Sequence, residues 1–213
     1  MSHSKHQPFT NDFAFIDVAI AALGARARRL AHARDCRQAQ QGGPDDQPCQ
    51  TALDRLAALT AHEEAMKADL DARLAAHRSD PAARQLALDG LTAAHELSED
   101  ERTILLTSFC FALSEDLSNF AFADVGTGYG GNGSVEFYCR LLGADSTADR
   151  VRVRNLLQPE SRVVRAGLIR IETMRNRDFQ PEDLLWCRVE ITQAGFDAMI
   201  AGATEPPPSM TRR

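Results

Sequence analysis

Apolar residues in the first third of the chain recur at alternating intervals of three and four. Phe13, Ile16, Ile20, Leu23, Ala27 and Leu30 draw a seam down one side of a helix ending near Ala33. The stretch RQAQQGGPDDQP (37–48), with paired glycines, a proline and two aspartates, reads as a loop. A second helix follows over about 49–77, its seam carried by Leu53, Leu56, Leu59, Met66, Leu70 and Leu74. Two such helices joined by a polar loop predict an antiparallel hairpin in which each covers the other's seam.

After Ser79-Asp80-Pro81 the pattern shortens. In LSEDERTILLTSFCFALSEDL (97–117), Ser98 and Glu101 have the S-x-x-E spacing of a capping box ahead of an apolar run, so a helix starts there. SVEFYCRLLG (134–143) predicts a helix capped by Ser134 and ended by Gly143 in the left-handed conformation. Residues 146–166 predict one or two more helices, interrupted near Pro159. The period then drops to two. GLIRIETM (167–174) and LLWCRVEIT (184–192) alternate apolar with polar residues on either side of the polar turn 175–183, which predicts a β-hairpin with one buried face. QAGFDAMIAG predicts a last short helix. The fold class expected is mainly α: an N-terminal antiparallel helical hairpin over 12–78, then a winged-helix domain over 79–203. Residues 1–11 are expected as a disordered tail and 204–213 as a flexible tail or linker.

Composition narrows the function. The 44% hydrophobic and 25% charged fractions are those of a globular protein. Residues 1–139 carry 12 basic against 20 acidic side chains, and residues 140–213 carry 12 against 10, so the overall charge of −6 resides in the N-terminal part. This imbalance does not announce a nucleic-acid binder. Five cysteines without a C-x-x-C pair, three of them in apolar stretches, fit a reducing compartment better than a disulfide framework or a zinc site. No signal core or membrane span is visible, and a cytoplasmic location is expected.

One motif imitates a nucleotide site. In DVGTGYGGNGS (124–134), Gly126 and Gly131 have phosphate-loop spacing, but Asn132-Gly133 stand where lysine and Ser/Thr would be needed. As the glycine turn of a methyltransferase it lacks the strand–helix units that should follow. No cofactor is therefore expected for this chain. Nucleophile, base and oxyanion donors are not assembled by any motif, so no enzymatic activity is expected. The charged feature with functional character is an arginine series. Residues 140–177 hold nine basic against four acidic residues, and Arg150, Arg152, Arg154, Arg170, Arg175 and Arg177 are the candidate contacts to a partner or to nucleic acid.

Taken in order, LALDGLTAAHELSEDERTILL, SVEFYCRLLG, NLLQPESRVVRAGLIRIE and WCRVEIT with its following helix resemble the winged-helix region that precedes the ATPase domain in a bacterial class of AAA-type ATPases. The glycine-rich loop departs from that family's charged residues at this place. No Walker A or Walker B segment is present, so the chain would be either the N-terminal fragment of such an ATPase or a stand-alone relative. ATP and magnesium would enter only if an ATPase domain follows. The resemblance implies a non-catalytic interaction or regulatory module that recognises a protein partner or a neighbouring ATPase domain. The alternative is a stand-alone winged-helix DNA-binding regulator dimerised through its helical hairpin.

Overall fold

The computed structural model describes residues 7–41, 50–118, 133–172 and 187–204. In chain order the helices are α1 (Asp12–Gln41), α2 (Gln50–Ser79), α3 (Ala87–Ala94), α4 (Glu99–Leu113), α5 (Val135–Leu141), α6 (Thr147–Leu156) and α7 (Arg162–Arg165). Strands β1 (Ile169–Glu172) and β2 (Arg188–Ile191) follow, then α8 (Gln193–Thr204). The mainly helical class with a small antiparallel sheet is the architecture expected.

The hairpin of α1 and α2 differs from expectation in three ways. First, the loop expected from residue 37 begins later, because α1 continues to Gln41. Second, Phe13 is half exposed while Phe15, Ile16 and Ala19 are buried. The reason is that the first half of α1 packs against α4, α5 and α8 as well as α2, so its buried stripe faces the rest of the molecule. Third, α2 is the minor partner: Leu74 and His77 are its buried residues, and Leu53, expected on its seam, is exposed. Phe9 also departs from the tail expected over 1–11. It is buried, meets Phe15 edge-on at 5.4 Å between ring centres, and lies under the Arg73 guanidinium at 4.7 Å. One apolar core thus runs from Phe9 to Met199, crossing residue 79 without a break.

Polar side chains join the two parts. The Asp12 carboxylate accepts from the Ala87 N–H at 2.7 Å, capping α3 from the start of α1. Arg26 donates to the Leu141 carbonyl at the end of α5 and pairs with Glu63, and Arg29 also pairs with Glu63. Asp89 takes hydrogen bonds from Arg78 at 2.7 Å and Arg102 at 3.2 Å, tying α2, α3 and α4 together. Burial pushes the Asp89 carboxyl up, but the Arg78 hydrogen bond and the charges of Arg78 and Arg102 outweigh it and leave the carboxyl below its ordinary value.

The capping box at Ser98 and Glu101 is formed, but its helix stops at Leu113 instead of running to 117. Ser114 turns the backbone extended, and its Oγ accepts from the Leu117 N–H at 3.3 Å, as the cap of a new helical turn over 115–118. Residues 146–166 form two helices separated by 157–161, as the proline suggested. In the hairpin, Ile169 pairs with Ile191 and Glu172 with Arg188. Cys187, Val189 and Ile169 face the core while Arg170 is exposed, so the alternation expected is observed on strands shorter than the apolar runs.

Close approach decides one glycine. Gly195, in the first turn of α8, lies so near the Leu168 carbonyl that a Cβ would overlap it. Gly195→Ala should therefore lower stability by more than about 2 kcal/mol, as backbone overlap in a packed interior does. Ser98→Ala should cost about 1 kcal/mol through the lost cap. Denaturant unfolding measures both, and equal midpoints for Gly195→Ala and wild type would refute the first. A third expectation concerns pH. Because its folded-state pKa is depressed, Asp89 stabilises the fold above its unfolded pKa and loses that contribution as pH falls through the folded value. The melting-point difference between wild type and Asp89→Asn should shrink on acidification below about pH 4.

Candidate nucleic-acid or partner interface

The C-terminal part is assembled around α4. Ser134 forms an isolated antiparallel bridge with Arg188, and the Val189 N–H donates to the Gly133 carbonyl at 3.2 Å, so β2 lies between residue 134 and β1. Gly133 is confined there. A Cβ at this position would stand 2.9 Å from both the Phe111 and Phe137 rings. Beneath it, the buried Tyr138 hydroxyl hydrogen-bonds Ser108 at 2.7 Å, and burial raises the phenol above its ordinary pKa. Cys110 is similarly pushed up to about 12 by burial, which makes it an inert core thiol. Cys36, Cys139 and Cys187 are also buried.

The order is helix α4, bridging residue 134, helices α5 and α6, the turn α7, then the hairpin β1–β2. This is the order of a winged helix, with α6 in the position of the recognition helix. Val153 and Leu157 bury the inner side of α6, whereas Thr147, Ala148, Val151, Arg152 and Asn155 are exposed, Val151 at 51%. Small side chains are also exposed on the outer side of α2, at Ala58, Ala61, Ala65, Ala68 and Ala75.

Of the arginines picked out in the sequence, Arg150, Arg152 and Arg154 fall on α6 and Arg170 on β1, while Arg175 and Arg177 lie outside the described residues. The structure pairs Arg150, Arg152 and Arg170 with carboxylates. Arg150 reaches Glu136 of α5 through Nη1 at 2.7 Å and Nη2 at 3.4 Å, and the Glu136 hydrogen bond and charge raise its pKa. Glu136 also accepts from Arg140 at 3.2 Å. Arg152 pairs with Asp100 of α4 and lies 3.9 Å from Asp149. Arg170 is held by Glu190 at 2.7 Å and Glu172 at 2.8 Å. The N-terminus of α6 is filled as well: Asp149 accepts from the Ser146 N–H and hydroxyl, closing a second capping box.

Glu136–Arg140 was readable as an i, i+4 pair, and the local acidic neighbours of Arg170 were readable too. Asp149, three residues before Arg152 on the same helix, was readable in the same way, whereas Glu136 and Asp100 reach Arg150 and Arg152 from other helices and no sequence signal marks them. Among the described residues, no group of three or more His, Cys, Asp or Glu is placed to hold a metal ion, and no helix is long and apolar enough to cross a membrane.

The fold thus defines a winged-helix protein with an added N-terminal helical hairpin. A family model described as "winged helix domain, variant" matches residues 1–206, and the chain belongs to that family. None of the curated proteins or solved structures compared with it matches. Winged-helix domains serve as DNA- or protein-binding modules. The model's reach over 1–206 includes the hairpin, in keeping with the shared core.

The arginine–carboxylate pairs on α6 involve largely exposed side chains, with Arg150 at 48% and Arg152 at 44%. Exposed ion pairs contribute roughly 0–1 kcal/mol. Arg150→Ala and Arg152→Ala should each change unfolding free energy by less than about 1 kcal/mol. A larger loss in denaturant titration would show that these pairs hold the fold.

Proposed function

We propose that this chain is a non-catalytic protein-interaction module whose α6 face receives a segment of a protein partner. The carrying observation is the neutralisation of that face. The recognition-helix arginines Arg150 and Arg152 point their guanidinium groups at Glu136 and Asp100, and Asp149 occupies the helix N-terminus where a phosphate would otherwise sit. Duplex DNA is bound largely through phosphate neutralisation. A face whose Arg150 and Arg152 are already matched, in a chain of net charge −6, offers little of that term. Exposed Val151 and Ala148 on the same helix suit contact with apolar side chains.

The likeness to the region preceding the ATPase domain of bacterial AAA-type ATPases supports a finer reading, in which the module recruits a client or regulates a neighbouring ATPase domain. That finer reading stands on the sequence marks alone. In either case the module itself carries out no chemistry and holds no cofactor. The competing reading, a DNA-binding regulator, draws on the use of this fold to place a helix in the major groove.

Titration of a labelled mixed-sequence duplex separates the two. The protein-interaction reading expects weak binding with a shallow dependence of log affinity on log salt. A slope corresponding to several phosphate contacts, at roughly 0.9 per contact, would establish the DNA-binding regulator instead. Calorimetry with ATP and magnesium should give no binding heat, since Asn132-Gly133 replace the lysine and hydroxyl of a phosphate loop. Micromolar binding abolished by Gly128→Val would overturn that expectation.

A further inference from the structure

We infer that Asp100 and Glu136 are specificity-determining residues of the α6 face, excluding nucleic acid from a surface that would otherwise accept it. The inference rests on the protein-interaction reading and assigns its selectivity to two side chains. Neither carboxylate belongs to α6. Asp100 stands in the first turn of α4 and Glu136 in the first turn of α5, where the partial positive charge of a helix N-terminus favours an anion. They are therefore held in place by their own helices, and the α6 arginines lean onto them.

The geometry makes this an occupied anion site. Glu136 accepts from both Nη atoms of Arg150, the donors that a phosphate would use, and also from Nε of Arg140. It is less exposed than Arg150, at 22% against 48%, so the arginine lies on the solvent side of its partner. Arg152 has the same relation to Asp100, and Asp149 stands on its other flank. A phosphate approaching either guanidinium meets a fixed carboxylate a few ångströms behind it. Displacing the carboxylate would leave two anions side by side. A protein partner carries no such obligatory row of charges and is not penalised.

Stability does not account for these pairs, because exposed ion pairs contribute little to it. Removing the two charges leaves Ser98 and Ser134 to cap the helices, so the fold is kept. The full chain carrying Asp100→Asn and Glu136→Gln frees Arg150 and Arg152 for phosphate. It should bind a mixed-sequence fluorescent duplex at least roughly tenfold more tightly than wild type at low salt. The slope of log affinity against log salt should steepen by about 1.8, two contacts at roughly 0.9 each. Adding Arg150→Ala and Arg152→Ala should abolish the gain. A control with the same change in net charge, Glu64→Gln with Asp71→Asn on the exposed side of α2, should show little of it.

A folded double variant with wild-type affinity and slope would overturn the inference. So would a gain that survives removal of both arginines, or one that the α2 control reproduces. The single variants, checked by circular dichroism, give the same comparison if the double variant fails to fold, each expected to steepen the slope by about 0.9. Failure of the underlying protein-interaction reading looks different. In that case the wild-type chain itself binds the duplex with a steep slope, before any carboxylate is changed.

Discussion

The carboxylate of Glu101 is the point on which the C-terminal half depends. One oxygen accepts from the Ser98 N–H and hydroxyl, both at 2.9 Å, which closes the start of α4. The other accepts from the backbone N–H of Arg162 at 3.0 Å and of Val163 at 3.4 Å, which closes the start of α7. A single side chain, 4% exposed, thereby satisfies the first donors of two helices that lie about sixty residues apart in sequence. A buried carboxylate is tolerated only when its oxygens are fully engaged, and here the backbone itself supplies the partners. Because α7 runs through Gly167 directly into β1, this link also sets where the β-hairpin stands relative to α4. At the far end, Thr192 donates to the Gly167 carbonyl and accepts from the Gly195 N–H, so both ends of the hairpin are fastened to the same turn.

The N-terminal hairpin is joined to this centre by a different chemistry. Phe9, Phe15, Ile16 and Ala19 supply apolar contact, and Asp12, Arg26 and Asp89 supply polar ties at its margins. The first half of α1 therefore belongs to the core of the winged helix as much as to its own hairpin. The outer surfaces of α2 and α6 remain exposed. On α6, Arg150 and Arg152 are paired with carboxylates of α5 and α4. Fold alone does not select the partner of a winged helix; the charges and side chains its surface presents do.

Much of the fold was legible because it is encoded over short distances. The capping box at Ser98 and Glu101, the cap at Ser134, left-handed Gly143, the break near Pro159 and the alternation in both strands are each written within a few residues. The errors share one cause. Assigning Phe13 to the seam, leaving Phe9 in a tail, and having α2 cover the stripe of α1 all assumed that the hairpin packs only on itself. Periodicity reports which residues share a face but not what the face meets. Similarly, the end of α4 at Leu113 depends on Ser114 capping a new turn, a choice between two uses of one serine that buried Leu117 decides.

The candidate site divides in the same manner. Sequence by itself determined that arginines concentrate after residue 140, that acidic neighbours surround Arg170, and that a helix carrying Arg150, Arg152 and Arg154 precedes a two-stranded wing. Those are matters of composition and local spacing. Only the tertiary structure decided that Glu136 and Asp100 stand beside Arg150 and Arg152, from positions fourteen and fifty-two residues away. A charge acts through space within a Debye length, whereas the sequence orders charges along a chain that the fold then bends back on itself.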